Sequence, residues 1–564
     1  MTRSTIRAGA GRLAPATALR PVLTGVLATG TVLALAACGG GFSEGQADDG
    51  GTAAGGGAAG ETLIIGNINP VASFNPINQT DVAGQWANEF VLDSLLDQPK
   101  PLEFTPELAT SIDTEDNQTY TVNLDPSATW SDGEPVTADD VAFTLNLIAN
   151  PESITALGTS ISSLDGVDPV TGKLPEGETE IPGVTVVDEQ TVELKTAQPV
   201  DPNYISEIIG TRLFILPAHH LKDIAPADFG ESDFAQLPDV TSGPYTYLNY
   251  TKDVSIEFAA RDDYYEGTPK IPSVAVRIMP AANLVGDLQT GAIHMNSGGG
   301  IGNIPVQDLA TVKGLDNVTT NVYETLGVQF IEFNTETVPD VEVRSAMAHA
   351  INREQIVDQL LQGEGQIVDG PYTSQSPYLD TDQETLAYDP DLSRELLEDT
   401  DFDEDTTLRF VVPTGNAIRE QSADIILENL KAVGFKVEQT NVDFPTLLTM
   451  AGEGDYDMLL IGNTFNIDPD VTFMYGSQGS SNYTGYSSER ADALLAKGKS
   501  EPDTAARAEI YDELQAIWQE DLPQLGLYSD NVASVVSNEV TAGGAKPFWR
   551  GSLADVPQWS FGEM

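Results

Sequence analysis

The chain has 564 residues, 86 acidic against 27 basic, a formal charge of −59 and a single cysteine. So negative a field repels polyanions and excludes nucleic acid as a partner, and one thiol can neither close an internal disulfide nor help to build a cysteine zinc site. The length exceeds what one small core can organise, so two or more lobes are expected, and the acids scattered along the chain read as a solvated surface suited to salty surroundings.

The first 37 residues carry Arg3, Arg7, Arg12 and Arg20 and no acid, and an apolar stretch runs from Pro21 to Ala37. This is the layout of a secretory signal and is short for a permanent spanning helix. It ends in Leu35, Ala36, Ala37 and Cys38, an ending that resembles bacterial lipoprotein signals. The resemblance implies a signal peptide over 1–37 and lipidation of Cys38. Residues 38–60 are rich in Gly and Ala and read as a flexible tether, with an end-to-end distance of roughly 25 Å. The expected location is the extracytoplasmic face of the cell membrane, the periplasmic side if an outer membrane is present.

The body opens with an apolar strand in "ETLIIGNINP" from Glu61, and strand alternation recurs in "YTVNL", "TVELK" and "VAVRI". Thr137 caps a helix in "TADDVAFTLNLI", with Asp140 at the reciprocal capping position and Val141, Leu145 and Ile148 as its apolar stripe. Residues 151–183, rich in Gly, Ser, Pro and acids, read as a surface excursion. "VRSAMAHAI" and "NREQIVDQLL" read as helices, the second capped by Asn352. "DIILENLKAVGFKVEQ" is a helix stopped at Gly434 and followed by a strand, the order of a crossover unit. Ile510, Leu514, Ile517 and Trp518 mark a last helix face. Strands and helices mix throughout, which makes this an α/β protein of several lobes.

No catalytic constellation emerges. His219, His220, His294 and His349 form no H-E-x-x-H arrangement, and no G-x-S-x-G elbow, phosphate loop or dinucleotide fingerprint is present. In so acidic a chain, one pair of carboxylates is no sign of acid/base catalysis. "DTDFDEDTT" from Asp399 alternates acids as a calcium loop does, yet Glu404 and Phe410 stand where that loop needs glycine and glutamate. No enzyme activity, cofactor or metal is expected.

Several segments in order resemble the extracellular solute-binding proteins of ABC importers, family 5, the dipeptide-, oligopeptide- and nickel-binding group. The strongest is "TPELATSIDTEDNQTYTVNLDPSATWSDGEPVTADDVAFTL", residues 105–145. "TSGPYTY", "ARDDYYEGTPKIPSVAVRIMP", "IEFNTET", "VEVRSAMAHAINREQIV", "LKAVGFKVEQTNVDF", "GDYDMLLIGN" and "LPQLGLY" continue it. The resemblance implies a periplasmic-binding-protein-like α/β fold of type II, with two lobes joined by two chain crossings and an extra subdomain. Lobe I would take 61–318 plus 526–564, with the subdomain inserted near 101–238. Lobe II would take 319–525. It also implies a monomer that encloses a peptide between the lobes and hands it to membrane permease subunits.

In peptide-binding members an extended ligand is held by main-chain hydrogen bonds, a form of strand addition, and a carboxylate in a Trp-containing loop secures its amino terminus. The corresponding stretch is "GNTFNIDPDVTFMYG", residues 462–476, where Asn463 stands in place of Trp and Asn466 in place of the aspartate. Asp468 or Asp470 could supply the missing charge. Alternatively Asn463, Thr464 and Asn466, with Phe465 as a stacking face, suit a ligand of hydroxyls or amides such as an oligosaccharide. By the same resemblance Val71, Ala72 and Ser73 line the first-lobe side, with Tyr323 and Thr325 beside the first crossing as further candidates. A ligand-sensing lipoprotein on this scaffold is the remaining alternative.

Overall fold

Strand Thr62–Asn67 places Leu63 and Ile65 in the core and starts a seven-stranded sheet. The computed structural model describes residues 62–78, 81–298, 300–544, 553 and 555–562. Cys38 and the signal and tether read from the sequence lie outside them. From one edge, the sheet runs Val318–Tyr323, Val532–Ser537, Met295–Asn296, Thr62–Asn67, Ser273–Ile278, Ser255–Ala260 and Tyr245–Thr251. A smaller antiparallel sheet, Ala109–Thr114, Thr119–Leu124, Thr191–Lys195 and Val184–Asp188, is inserted between its strands in sequence. Its buried residues, Tyr120, Val122 and Leu194 among them, share one hydrophobic core with Leu63, Ile65 and Val276 of the larger sheet.

The second lobe is a six-stranded sheet in the order Gly365–Gln366, Gln524–Asp530, Gly327–Phe333, Met458–Thr464, Thr407–Pro413 and Lys436–Val442. Its last two strands run parallel, joined by helix Ala417–Val433 as the crossover reading requires. The helix starts well before Asp424, because Asn416 accepts the backbone N–H of Arg419 as a cap. It ends at Gly434, whose φ of 117° only glycine adopts without strain. "VRSAMAHAI" forms helix Val341–Ala350, whereas "NREQIVDQLL" gives a single turn, Arg353–Gln355, followed by a π-helical turn over Ile356–Leu360.

Helix Ala138–Ala149 has the expected capping box, and Asp140 does more than cap. Its carboxylate accepts from Thr137 N at 2.8 Å, Ala218 N at 2.7 Å and Trp130 Nε1 at 3.3 Å. One buried acid thus joins the turn before the helix, the helix itself and the 218 segment. The 151–183 excursion is not confined to the surface, since Leu157, Ile161, Leu164, Leu174 and Ile181 are all core residues. Its apolar side chains come singly between polar ones, so they form no periodic pattern that would betray their burial.

Glu332 lies in the central strand Gly327–Phe333, 1% exposed, with its Oε2 meeting no donor among the described residues. Burial pushes its pKa from 4.5 up to about 8. Between those values the folded state holds a proton that the unfolded chain has lost, so stability falls as pH rises through that window and levels off above it. Glu332→Gln keeps the shape without the charge. In scanning calorimetry it should raise Tm by a few degrees at about pH 9 and leave it unchanged at about pH 4; equal shifts at both values would contradict this.

Candidate ligand site at the junction of the two lobes

The chain passes from the seven-stranded to the six-stranded sheet between Tyr323 and Gly327, and returns between Asp530 and Val532. Thr325 ties the two passages together. Its Oγ1 donates to Asp530 O at 3.1 Å and lies 3.3 Å from Ser529 Oγ, and its carbonyl accepts from Thr373 Oγ1 at 2.9 Å. Tyr323 ends its strand opposite Val532, half-buried, and that burial raises its pKa. Both residues therefore belong to the joint between the lobes.

Strand Met458–Thr464 pairs antiparallel with Gly327–Phe333, setting Asn463 opposite Val328 and Thr464 opposite Gly327. The chain then turns. Phe465 N donates to Leu326 O at 3.1 Å, and its ring packs edge-on against Phe330 with centroids 6.0 Å apart. Phe465 is 6% exposed and serves as core rather than as an open stacking face. Asn463 directs its amide toward Met474 Sδ at 3.8 Å, while Thr464 is exposed.

The next residues meet the inserted subdomain. Asn466 Oδ1 accepts from Arg212 Nη1 at 3.1 Å. Glu207, 4% exposed on the π-helical turn Ser206–Thr211, accepts the backbone N–H of Ile467 at 2.9 Å and of Asp468 at 2.7 Å. Asp468 receives a two-pronged bond from Arg507, at 2.5 and 3.1 Å. The same guanidinium lies 3.7 Å from Asp201 and about equally over the rings of Tyr378 and Tyr511, at 5.9 and 5.8 Å. Thr504 donates to Asp201 at 3.2 Å and accepts from Asn203 at 3.0 Å. Leu102, from the first lobe, packs on Leu326 and Ile467 beside this network.

These contacts assign roles to the two acids offered as replacements for the missing aspartate. Asp468 is buried with both oxygens on Arg507, while Asp470 accepts from Thr472 N at 3.0 Å and Thr472 Oγ1 at 2.5 Å and faces Lys499 at 3.9 Å. On the other side, Ala72 N and Ser73 N both donate to Asp81 Oδ2, at 2.8 and 3.2 Å, and buried Val71 offers its carbonyl to Tyr250 Oη at 3.3 Å. Those backbone groups hold a local turn, and no described hydrogen bond or ring contact joins them to 463–470. Two further cavities of about 300 and 320 Å3 lie one within each lobe, and no nominated residue lines either.

Asp201, Asn203, Glu207, Arg212 and Thr504 were not legible as partners, since Arg212 and Glu207 reach the loop across 254 to 261 residues and Thr504 meets Asn203 and Asp201 across 301 and 303. Arg507 alone carried a signal. It stands three and seven residues before Ile510 and Leu514 on their apolar face, where a charge needs a partner.

Comparison with known proteins agrees with this geometry. The family model for bacterial extracellular solute-binding proteins, family 5, matches residues 103–485. The oligopeptide-binding protein AppA of Bacillus subtilis is 26% identical over 523 residues, covering 88% of this chain and 91% of its own. The dipeptide-binding protein of Escherichia coli is 24% identical, covering 76% and 81%. Among solved structures, AppA in complex with a nonapeptide superposes with a TM-score of 0.73 at 24% identity, covering 89% of this chain and 99% of its own. The ABC transporter substrate binding protein CtaP of Listeria monocytogenes superposes with 0.77 at 26% identity, covering 89% and 100%. These relatives are solute-binding proteins, not enzymes, and the two-lobed type II fold is theirs too. The chain belongs to the bacterial extracellular solute-binding proteins, family 5.

Proposed function

We propose that this protein is a lipid-anchored receptor on the extracytoplasmic face of the cell membrane that closes around a peptide and delivers it to the permease of an ABC importer. The observation that carries the reading is the meeting of the 463–470 loop with Glu207 and Arg212 of the opposite lobe. A ligand enclosed beside that junction adds contacts available only when the lobes are together, and so shifts the closing equilibrium by its differential affinity. Relatives named for oligopeptide and dipeptide binding, with a bound nonapeptide in one of them, support peptide as the ligand class.

Asn466 modifies how the peptide is held. Its amide oxygen is taken up by Arg212, and Asp468 and Asp470 are engaged within their own lobe. The loop thus presents no uncommitted carboxylate for an ammonium group. Main-chain bonding to strand edges then carries recognition. The same observation favours a second reading, an oligosaccharide or other polar neutral solute, which needs no charge partner.

A thermal-shift and native mass spectrometry screen of the purified protein against peptides and oligosaccharides separates the two. Under the peptide reading, peptides bind, and acetylating the amino terminus changes affinity by less than about threefold. A loss above about tenfold would reveal a carboxylate partner for the ammonium, and stabilisation by sugars alone would replace peptide by saccharide. The anchor is tested separately. Wild-type protein should sediment with membranes, and Cys38→Ala should no longer carry a lipid in intact-mass analysis; an unchanged mass shift would refute lipidation at Cys38.

A further inference from the structure

A cavity of about 300 Å3 lies within the second lobe. Segments 366–372 and 379–386, Tyr475, the last turns of helix Thr504–Asp521 and Gln524 form its walls. Buried Tyr372, Tyr475 and Trp518 stand at its inner side, and exposed Thr381 and Thr385 at its outer side.

Most polar groups of the wall are committed to one another. Gln515 Nε2 donates to Tyr378 O at 2.9 Å and to Tyr511 O at 3.0 Å, while its Oε1 accepts from Asp380 N at 3.1 Å. Gln383 Nε2 donates to Gln519 Oε1 at 2.6 Å, and Gln519 Nε2 to Glu384 O at 2.7 Å. Asp369 is paired with Arg353 at 2.6 Å, and Asp380 accepts the backbone N–H of Asp382 at 2.9 Å. No lysine, arginine or histidine lines the space among the described residues, so it offers nothing to balance an anion.

Gln524 and Trp518 differ from these neighbours. Each is 4% exposed, and neither end of the Gln524 carboxamide nor Trp518 Nε1 meets a partner among the described residues. Gln366 Nε2 is a third such donor, on a side chain whose Oε1 accepts from Ser374 N at 3.2 Å. Buried polar groups without partners are few in folded proteins, and each calls for a ligand or an ordered water. Here three residues of that kind border one cavity beside fixed aromatic rings. Trp518 lies against Tyr475 with centroids 4.2 Å apart, and Tyr372 Oη donates to Pro469 O at 2.6 Å.

Water can serve the amides but gains nothing from the rings. A solute with hydroxyls on its edge and C–H groups on its faces uses both. Each hydroxyl donates and accepts, which matches a carboxamide open at both ends. The volume is at the small end of ligand pockets, which run from about 300 to 1,000 Å3, and suits one ring rather than an extended chain.

We propose that this cavity binds a neutral polyhydroxylated ring, a monosaccharide or cyclitol, with its hydroxyls on Gln524, Trp518 and Gln366 and its C–H face on the aromatic wall. Every lining residue belongs to the second lobe, so the site stands whether or not a peptide binds at the junction.

Isothermal titration calorimetry of the protein with glucose, galactose and myo-inositol, in the absence and presence of peptide, tests this. The expected result is one saturable site for at least one of the three, which peptide neither displaces nor is needed to form. Gln524→Leu keeps the bulk without a hydrogen-bonding group and should weaken that binding by about tenfold or more. Trp518→Phe, which keeps a ring and loses the donor, should act in the same direction and serves alone if the first variant fails to fold. Asp403→Asn, on the exposed surface of the same lobe, should leave binding unchanged. Absence of saturable binding, with ordered water the cavity's only occupant, would overturn the proposal. So would displacement by peptide, binding that folded Gln524→Leu or Trp518→Phe leaves intact, or equal weakening by Asp403→Asn.

Discussion

The carboxylate of Glu207 holds the backbone N–H groups of Ile467 and Asp468 across the junction of the lobes, and the arrangement of the candidate site depends on that pair of bonds. A buried N–H left without an acceptor costs about 1–3 kcal/mol, so separating the lobes here exposes two polar groups that must find water. Around them, Arg212 reaches Asn466, and Arg507 bridges Asp468 of its own lobe and Asp201 of the other. Arg507 stands between two buried aspartates, so neither is left without a cation beside it.

This network ties the two lobes together at the 463–470 loop. The linkers are short and mutually bonded through Thr325. The junction combines these polar contacts with a small apolar one, Leu102 on Leu326 and Ile467, unlike the continuous apolar core that fuses the inserted sheet to the seven-stranded one. An apolar contact of comparable size would hold the lobes shut without regard to what lay between them. Under the proposed function, hydrogen bonds that water can replace let a solute between the lobes tip the balance of closing.

Local signals were legible in the sequence wherever a single turn carries them. Thr137 and Asp140 predicted the helix start, Asn352 a cap and Gly434 a helix end, because each works within a few residues of itself. The ordered segments from "TPELATS" to "LPQLGLY" made the family resemblance, which the match over residues 103–485 bears out. What stayed hidden depends on distance in the chain. Arg212 and Asn466 are separated by 254 residues, and Glu207 and Ile467 by 260. No spacing rule joins them. The buried side chains of 151–183 were hidden for another reason: each is an isolated apolar residue among turn formers, without a period to announce a face.

Glu207 holds the two lobes together at the 463–470 loop. Small-angle X-ray scattering of the ligand-free protein, wild type against Glu207→Ala, tests it without knowledge of the ligand. Loss of the two cross-lobe bonds should open the hinge, giving the variant a larger radius of gyration and maximum dimension than the wild type. Superimposable scattering curves from two equally folded proteins would contradict it.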